Sequence, residues 1–335
     1  MKIIPYTTKF GAQAIFISNL AHWAPTYRQD YNTSWLSQDG QLNTKEQERL
    51  ANVGPIFLKY NNRKKKYKFG YLDTILLLNV NESLVWKRTA HLVNASEYNK
   101  LKSVFEILAP RFNKIWVSNF KQHSASLELL KYITRTWPTY ELQSALESFW
   151  GTNGGSKPIS LFYFASPVAN RTNGKTLSPN LIVLERNIIS NNANEISKVR
   201  AVILHEIIHA RYEQRFFSKK LMGFLSNYKF DTSFELDGHT YYLKNVLREA
   251  AVNALVPNGY IGEKYLNINT KKRYERLRKT PLAYPIWERL MIFVAETVDA
   301  LTRQYINNNL KIDDNYLIHL YKAVTAFKTE KLNKK

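Results

Sequence analysis

The stretch that most constrains this chain is Val202-Ile203-Leu204-His205-Glu206-Ile207-Ile208-His209-Ala210. It reads H-E-x-x-H inside an apolar run. On a helix, His205 and His209 stand at i and i+4, so both imidazoles leave one face a turn apart. Two neutral imidazoles at that spacing reach a single Zn²⁺ at about 2.0–2.1 Å. Glu206 is turned by about 100° from His205. It lies outside the shared coordination plane yet within reach of water at the metal, the position of a general base. The competing reading is a satisfied structural cluster, since short motifs arise by chance and surface helices use Glu and His freely. The neighbours argue against a surface helix: Val199, Val202, Ile203, Ile207 and Ile208 make the segment apolar on several sides. Two histidines and a glutamate in a buried helix would be costly without partners.

The total of 335 residues allows one large domain or two modest ones, and 44% hydrophobic with 13% aromatic residues suffices for a sizeable core. Cysteine is absent, which excludes a disulfide framework and a Cys-based zinc site. Any metal must therefore rely on His and carboxylate. The N-terminus turns polar after Met1-Lys2-Ile3-Ile4, and the apolar patch Ala12–Ile17 is too short for a secretory signal. No run approaches the roughly 18 apolar residues of a membrane span. These features predict a soluble, cytoplasmic protein.

Net charge is +21, with basic clusters at Arg63–Lys68 and Lys271–Lys279. Such a field favours nucleic acid or another polyanion as a partner. The plainer alternative is a set of solvated faces that aid solubility. No helix-turn-helix, zinc-finger or RNP signature supports nucleic-acid binding.

Three consecutive regions are expected. Residues 1–150 read as helix-rich. Thr44 with Gln47 has the character of a capping box. Tyr71–Val80 is a strand or a buried helix, and Leu127–Thr134 and Tyr140–Phe149 read as helices. Trp23, Trp35, Trp86, Trp116, Trp137 and Trp150 read as packing residues, and His22, His91 and His123 as isolated structural or surface histidines. Gly151–Pro158 is a linker. Residues 151–260 form the metal-bearing core: a strand at Ile159–Phe164, a loop with Asn173-Gly174, a strand at Asn180–Glu185, then the helix with His205 and His209. Residues 261–335 form a C-terminal helical region with a basic tail. One amphipathic helix there runs from Pro285 with Ile286, Leu290, Phe293, Val294, Val298 and Leu301 on its apolar side. A final helix spans Tyr316–Phe327, with His319 as a core residue.

A catalytic zinc needs a third protein ligand and an open position. Glu249, in Leu247-Arg248-Glu249-Ala250-Ala251-Val252-Asn253, is the first choice. The flanking alanines permit close approach to another helix, and Asn253, at i+4, could orient a ligating histidine. H-E-x-x-H followed by E-x-x-x-N resembles the gluzincin branch of the zincin metallopeptidases. Strand, turn, strand and metal helix is also a zincin core order. The alternative third ligand is His239. His205-Glu206-Ile207-Ile208-His209-Ala210 followed by Gly238-His239 and Leu243 resembles the SprT-like (Spartan) proteases, although the interval from His209 is longer than that family's. Beside a Glu249 ligand, His239 would serve as a donor to an oxyanion; Tyr241, Tyr242 and Tyr260 are weaker candidates. Only proximity speaks for Glu213 and Glu235.

The resemblance implies an α+β fold with a zincin-type core, a small sheet and a Zn²⁺ cofactor. It implies hydrolysis of a protein or peptide substrate, with Glu206 passing a proton from water to the leaving amine. The alternatives are a basic nucleic-acid-binding protein with a structural or degenerate zincin core, and a SprT-like protease acting on DNA-bound proteins.

Overall fold

Two sets of apolar residues, each drawn from distant parts of the sequence, divide the chain into two compact units. A computed structural model describes residues 1–22, 28–62, 71–78, 81–169, 172–236 and 238–332. The fold is α+β. The units are discontinuous, in contrast to the three consecutive regions of the sequence reading: one comprises Ile3–Thr134 with Ile159–Ser190, the other Met1–Lys2, Arg135–Pro158 and Asn191–Lys335. Trp23, the Arg63–Lys68 cluster and the end of the Tyr71–Val80 stretch lie outside the described residues.

The first unit holds a mixed sheet of β1 (Ile3–Tyr6), β2 (Ile159–Phe164), β3 (Thr172–Ser178) and β4 (Leu181–Arg186), in the order β1-β2-β4-β3. β1, β2 and β4 run parallel, and β3 is antiparallel to β4. Every residue of β4 is buried, as befits a strand enclosed on both faces. The expected loop at Asn173-Gly174 is instead strand β3. Only Leu177 of that strand is buried, so the apolar alternation that announces a strand is missing.

Helices α1 (Lys9–Leu20), α2 (Gln29–Asp39), α3 (Thr44–Tyr60), α4 (Leu72–Leu78), α5 (Glu82–Leu92) and α6 (Ala95–Arg135) complete this unit. The ambiguous apolar stretch is helix α4, with Leu72, Ile75, Leu76 and Leu77 buried. Burial on several sides erases helical periodicity. The capping box sits one residue earlier than expected. Asn43 accepts from the Glu46 amide at 2.9 Å, and the Glu46 carboxylate accepts from the Asn43 amide at 2.8 Å. Arg111 of α6 donates to Glu46 at 3.0 Å and to the Gly40 carbonyl at 2.8 Å, which fixes the turn between α2 and α3. The expected helix at Leu127–Thr134 is the end of α6.

The second unit carries the H-E-x-x-H segment. Its helices are α7 (Tyr140–Trp150), α8 (Ala193–Ile207), α9 (Ser218–Tyr228), α10 (Leu243–Asn253), α11 (Tyr260–Leu266), α12 (Thr270–Lys279), α13 (Ile286–Thr297), α14 (Asp299–Asn307) and α15 (Asp314–Leu332). A π-helical segment, Ile208–Phe217, joins α8 to α9. A small antiparallel hairpin, β5 (Ser233–Leu236) and β6 (His239–Tyr242), leads into α10. Trp150 meets Phe217 edge-on at 4.8 Å, and Phe149 meets Tyr316 edge-on at 5.2 Å. These rings pin α7 to the end of the π-helical segment and to α15. The long amphipathic helix predicted from Pro285 is two helices, α13 and α14, separated at Val298. His319 is exposed on α15, a correction to its reading as core. Among the described residues, no helix is long and apolar enough to cross a membrane.

The turn between α10 and α11 approaches backbone closely. A Cβ on Gly259 would fall 1.6 Å from the Ala254 carbonyl oxygen, and a backbone atom cannot yield as a side chain can. We expect Gly259→Ala to destabilise by about 1–3 kcal/mol in equilibrium urea unfolding. Gly223→Ala, in α9 with nothing within 4 Å of the new Cβ, is expected to stabilise by about 0.5–1 kcal/mol.

Candidate metal centre

Asn192 starts α8: its side chain accepts from the amides of Asn194 and Glu195, satisfying donors that a helix start leaves unpaired. Val199, Ile203, Leu204 and Ile207 are buried, which holds the helix in the core with His205 and Glu206 half-buried. The switch to π geometry follows at Ile208 and places His209 and Glu213 on a widened turn. Such turns are rare and gather at functional sites. Opposite, α10 buries Val246, Leu247, Ala250 and Ala251 completely. The alanines add little bulk beside Glu249.

These elements bring three side chains together. His205 Nε2 lies 3.0 Å from His209 Nε2. Glu249 Oε2 lies 3.5 Å from His205 Nε2, and Glu249 Oε1 lies 3.3 Å from His209 Nε2. Ligand atoms about 2.0–2.1 Å from a tetrahedral zinc are about 3.3–3.4 Å from one another. The two nitrogens lie slightly closer than that edge, and each faces a different oxygen of the Glu249 carboxylate near it. His205, His209 and Glu249 are the one cluster of this kind among the described residues that could hold a metal ion.

The outer nitrogens set the tautomers. His209 Nδ1 faces Glu213 Oε2 at 2.5 Å, and His205 Nδ1 faces the Val256 carbonyl at 3.4 Å. With a proton on each Nδ1, both Nε2 lone pairs remain for a cation. Glu213 is wholly buried, and its second oxygen accepts from Arg248 Nε. Burial opposes its charge, but the bonds from His209 and Arg248 outweigh that and hold its carboxyl below the usual range. Burial likewise opposes charge on Glu249, and the two imidazoles bring it far below the usual range. Burial pulls His209 down, yet Glu213 and Glu249 push it up to about 10. Two carboxylates around one imidazole demand positive charge. A proton on His209 supplies it in the bare site, and a metal ion can take that place.

Other sequence candidates lie elsewhere. Glu206 is half-buried on α8, next to His205 but outside the triad. His239 is exposed on β6 and does not join the cluster. Asn253 donates from Nδ2 to the Glu249 backbone carbonyl at 2.9 Å and accepts from Asn258 at 3.1 Å, tying the end of α10 to the following turn. Tyr241 stacks on Trp287 at 4.9 Å, Tyr260 donates to Asn307 at 3.0 Å, and Tyr242 is exposed. Glu235 accepts from the Thr240 hydroxyl. Sequence reasoning named Glu213 for its proximity alone and gave it no role. Its signal was present: an acid at i+4 from His209, in a segment with an apolar surround.

No protein-family model, curated protein or solved structure matches the chain.

Elemental analysis of zinc-loaded protein should find one zinc per chain. His205→Ala and Glu249→Ala should each lose it on dialysis, whereas His239→Ala should keep it. Loss of zinc in His239→Ala with retention in Glu249→Ala would reverse the assignment of the third ligand.

Proposed function

We propose that this chain is a zinc-dependent hydrolase of peptide bonds with a gluzincin-like ligand set, His205, His209 and Glu249. The observation that carries the reading is the convergence of the two Nε2 atoms, 3.0 Å apart, on the Glu249 carboxylate, whose two oxygens lie 3.5 Å from His205 Nε2 and 3.3 Å from His209 Nε2; such a set could hold one ion and leave a position for water. The donor set, two imidazoles and a carboxylate without sulfur, suits zinc chemistry. When bound, Zn²⁺ supplies Lewis acidity that polarises a carbonyl and lowers the pKa of water toward neutrality.

The protein's residues supply the rest. His205 and His209 would hold the ion through Nε2, their other nitrogens facing the Val256 carbonyl and Glu213. Glu206 follows His205 directly and keeps partial access to solvent. It takes a proton from the attacking water and delivers it to the leaving amine. The zincin fold assignment belongs to the same proposal, as does the protein or peptide substrate.

A second reading has its own observation. Lys271, Lys272, Arg276, Arg278 and Lys279 are exposed along α12, in a chain of net charge +21. This face suits a polyanion such as DNA, whether as the main function or as a way to bring the hydrolase to DNA-bound proteins.

Glu206→Gln tests the first reading. Zinc content should stay at one per chain, while hydrolysis of an unfolded protein substrate falls by roughly 10²–10⁴-fold. Undiminished hydrolysis would remove Glu206 from its role. For the second reading, a Lys271→Ala/Lys272→Ala/Arg276→Ala variant should bind duplex DNA more weakly and with a shallower salt dependence. Equal binding by wild type and variant would exclude α12 as the contact.

A further inference from the structure

We propose that Glu213 and Arg248 form a clamp between the two metal-bearing elements, holding His209 and Glu249 at ligating separation before any cation arrives. The inference rests on the metal reading of the site and deepens it.

Glu213 joins two elements through one carboxylate. Oε2 accepts from His209, four residues earlier on its own segment, and Oε1 accepts from Arg248 on α10. The carboxylate is wholly buried. A buried charge persists only when it is paired and hydrogen-bonded, so neither bond is dispensable. Arg248 is also the residue immediately before Glu249. On a helix, consecutive side chains differ by about 100° in direction. Fixing Arg248 against the π-helical segment therefore fixes both the rotation and the height of α10, and with them the reach of Glu249. Val246, Leu247 and Val252 bury the apolar side of α10, and the Arg248–Glu213 bond adds a polar tie between α10 and the π-helical segment.

The pair also balances charge. Glu213 and Glu249 place two carboxylates around His209. Arg248 partly neutralises the inner one, so that Glu249 remains the carboxylate facing the cation. Glu213 and Arg248 are positioning residues: they act through His209 and Glu249 and do not touch the ion.

Zinc affinity, measured by competition with a chromophoric chelator, tests the clamp independently of any hydrolysis. Glu213→Gln and Arg248→Met should each weaken binding by roughly 10–100-fold. If Arg248 acts through Glu249, the losses in Arg248→Met and Glu249→Ala should be non-additive, the double variant binding little worse than Glu249→Ala alone. Arg248→Lys, which retains a cation for Glu213, should recover much of the affinity lost in Arg248→Met. Because Arg248 is one-third exposed, its variants carry the test even if Glu213→Gln fails to fold. Unchanged affinity in Arg248→Met, or losses that multiply independently with Glu249→Ala, overturns the clamp while leaving the metal site intact. A wild-type protein that takes up no zinc overturns the metal reading and the clamp with it.

Discussion

The site depends on the burial of negative charge. Glu213 has no exposure at all, and Glu249 lies beside it across the His209 ring. A carboxylate removed from water must find donors or lose its charge. Glu213 finds the His209 imidazole and the Arg248 guanidinium. Glu249, half-buried, faces the Nε2 atoms of both histidines. α10 packs against the π-helical segment that continues α8, and the ion pairs among His205, His209, Glu213, Arg248 and Glu249 join the two elements.

Much of this was legible in the chain. The H-E-x-x-H spacing put His205 and His209 on one face, and Glu249, the first choice as their partner, is the carboxylate that faces both. Glu213 was less legible, because i+4 spacing on an α-helix is commonplace and the π turn that seats it has no clear sequence mark. Arg248 was hidden for a similar reason: beside Glu249 it reads as an ordinary helix charge. Asn253 illustrates the opposite failure. Its spacing suggests support for a histidine, yet its amide closes the end of α10, where unpaired carbonyls compete for any donor.

The division of the chain was the least legible feature. Strands β2 and β4 precede the H-E-x-x-H helix in sequence, which invites a single core of sheet and helix. Contacts instead group these strands with α1 to α6, and group α8 with α7 and the C-terminal helices. Parallel pairing of β1 with β2 joins Ile3 to Ile159, and local periodicity carries no information about a partner so distant. The strands themselves were identifiable because parallel, enclosed strands are continuous apolar runs. β3 was not, since its residues other than Leu177 are half-buried and mostly polar and show no apolar alternation.

X-ray absorption at the zinc edge of the loaded protein reads the ligand set itself. If His205, His209 and Glu249 hold the ion, the first shell is two imidazoles plus oxygen at about 2.0–2.1 Å, with four ligands in all. A shell of three imidazoles would instead place another histidine at the metal. A six-oxygen shell would show that the ion binds elsewhere and that His205, His209 and Glu249 pair only with one another.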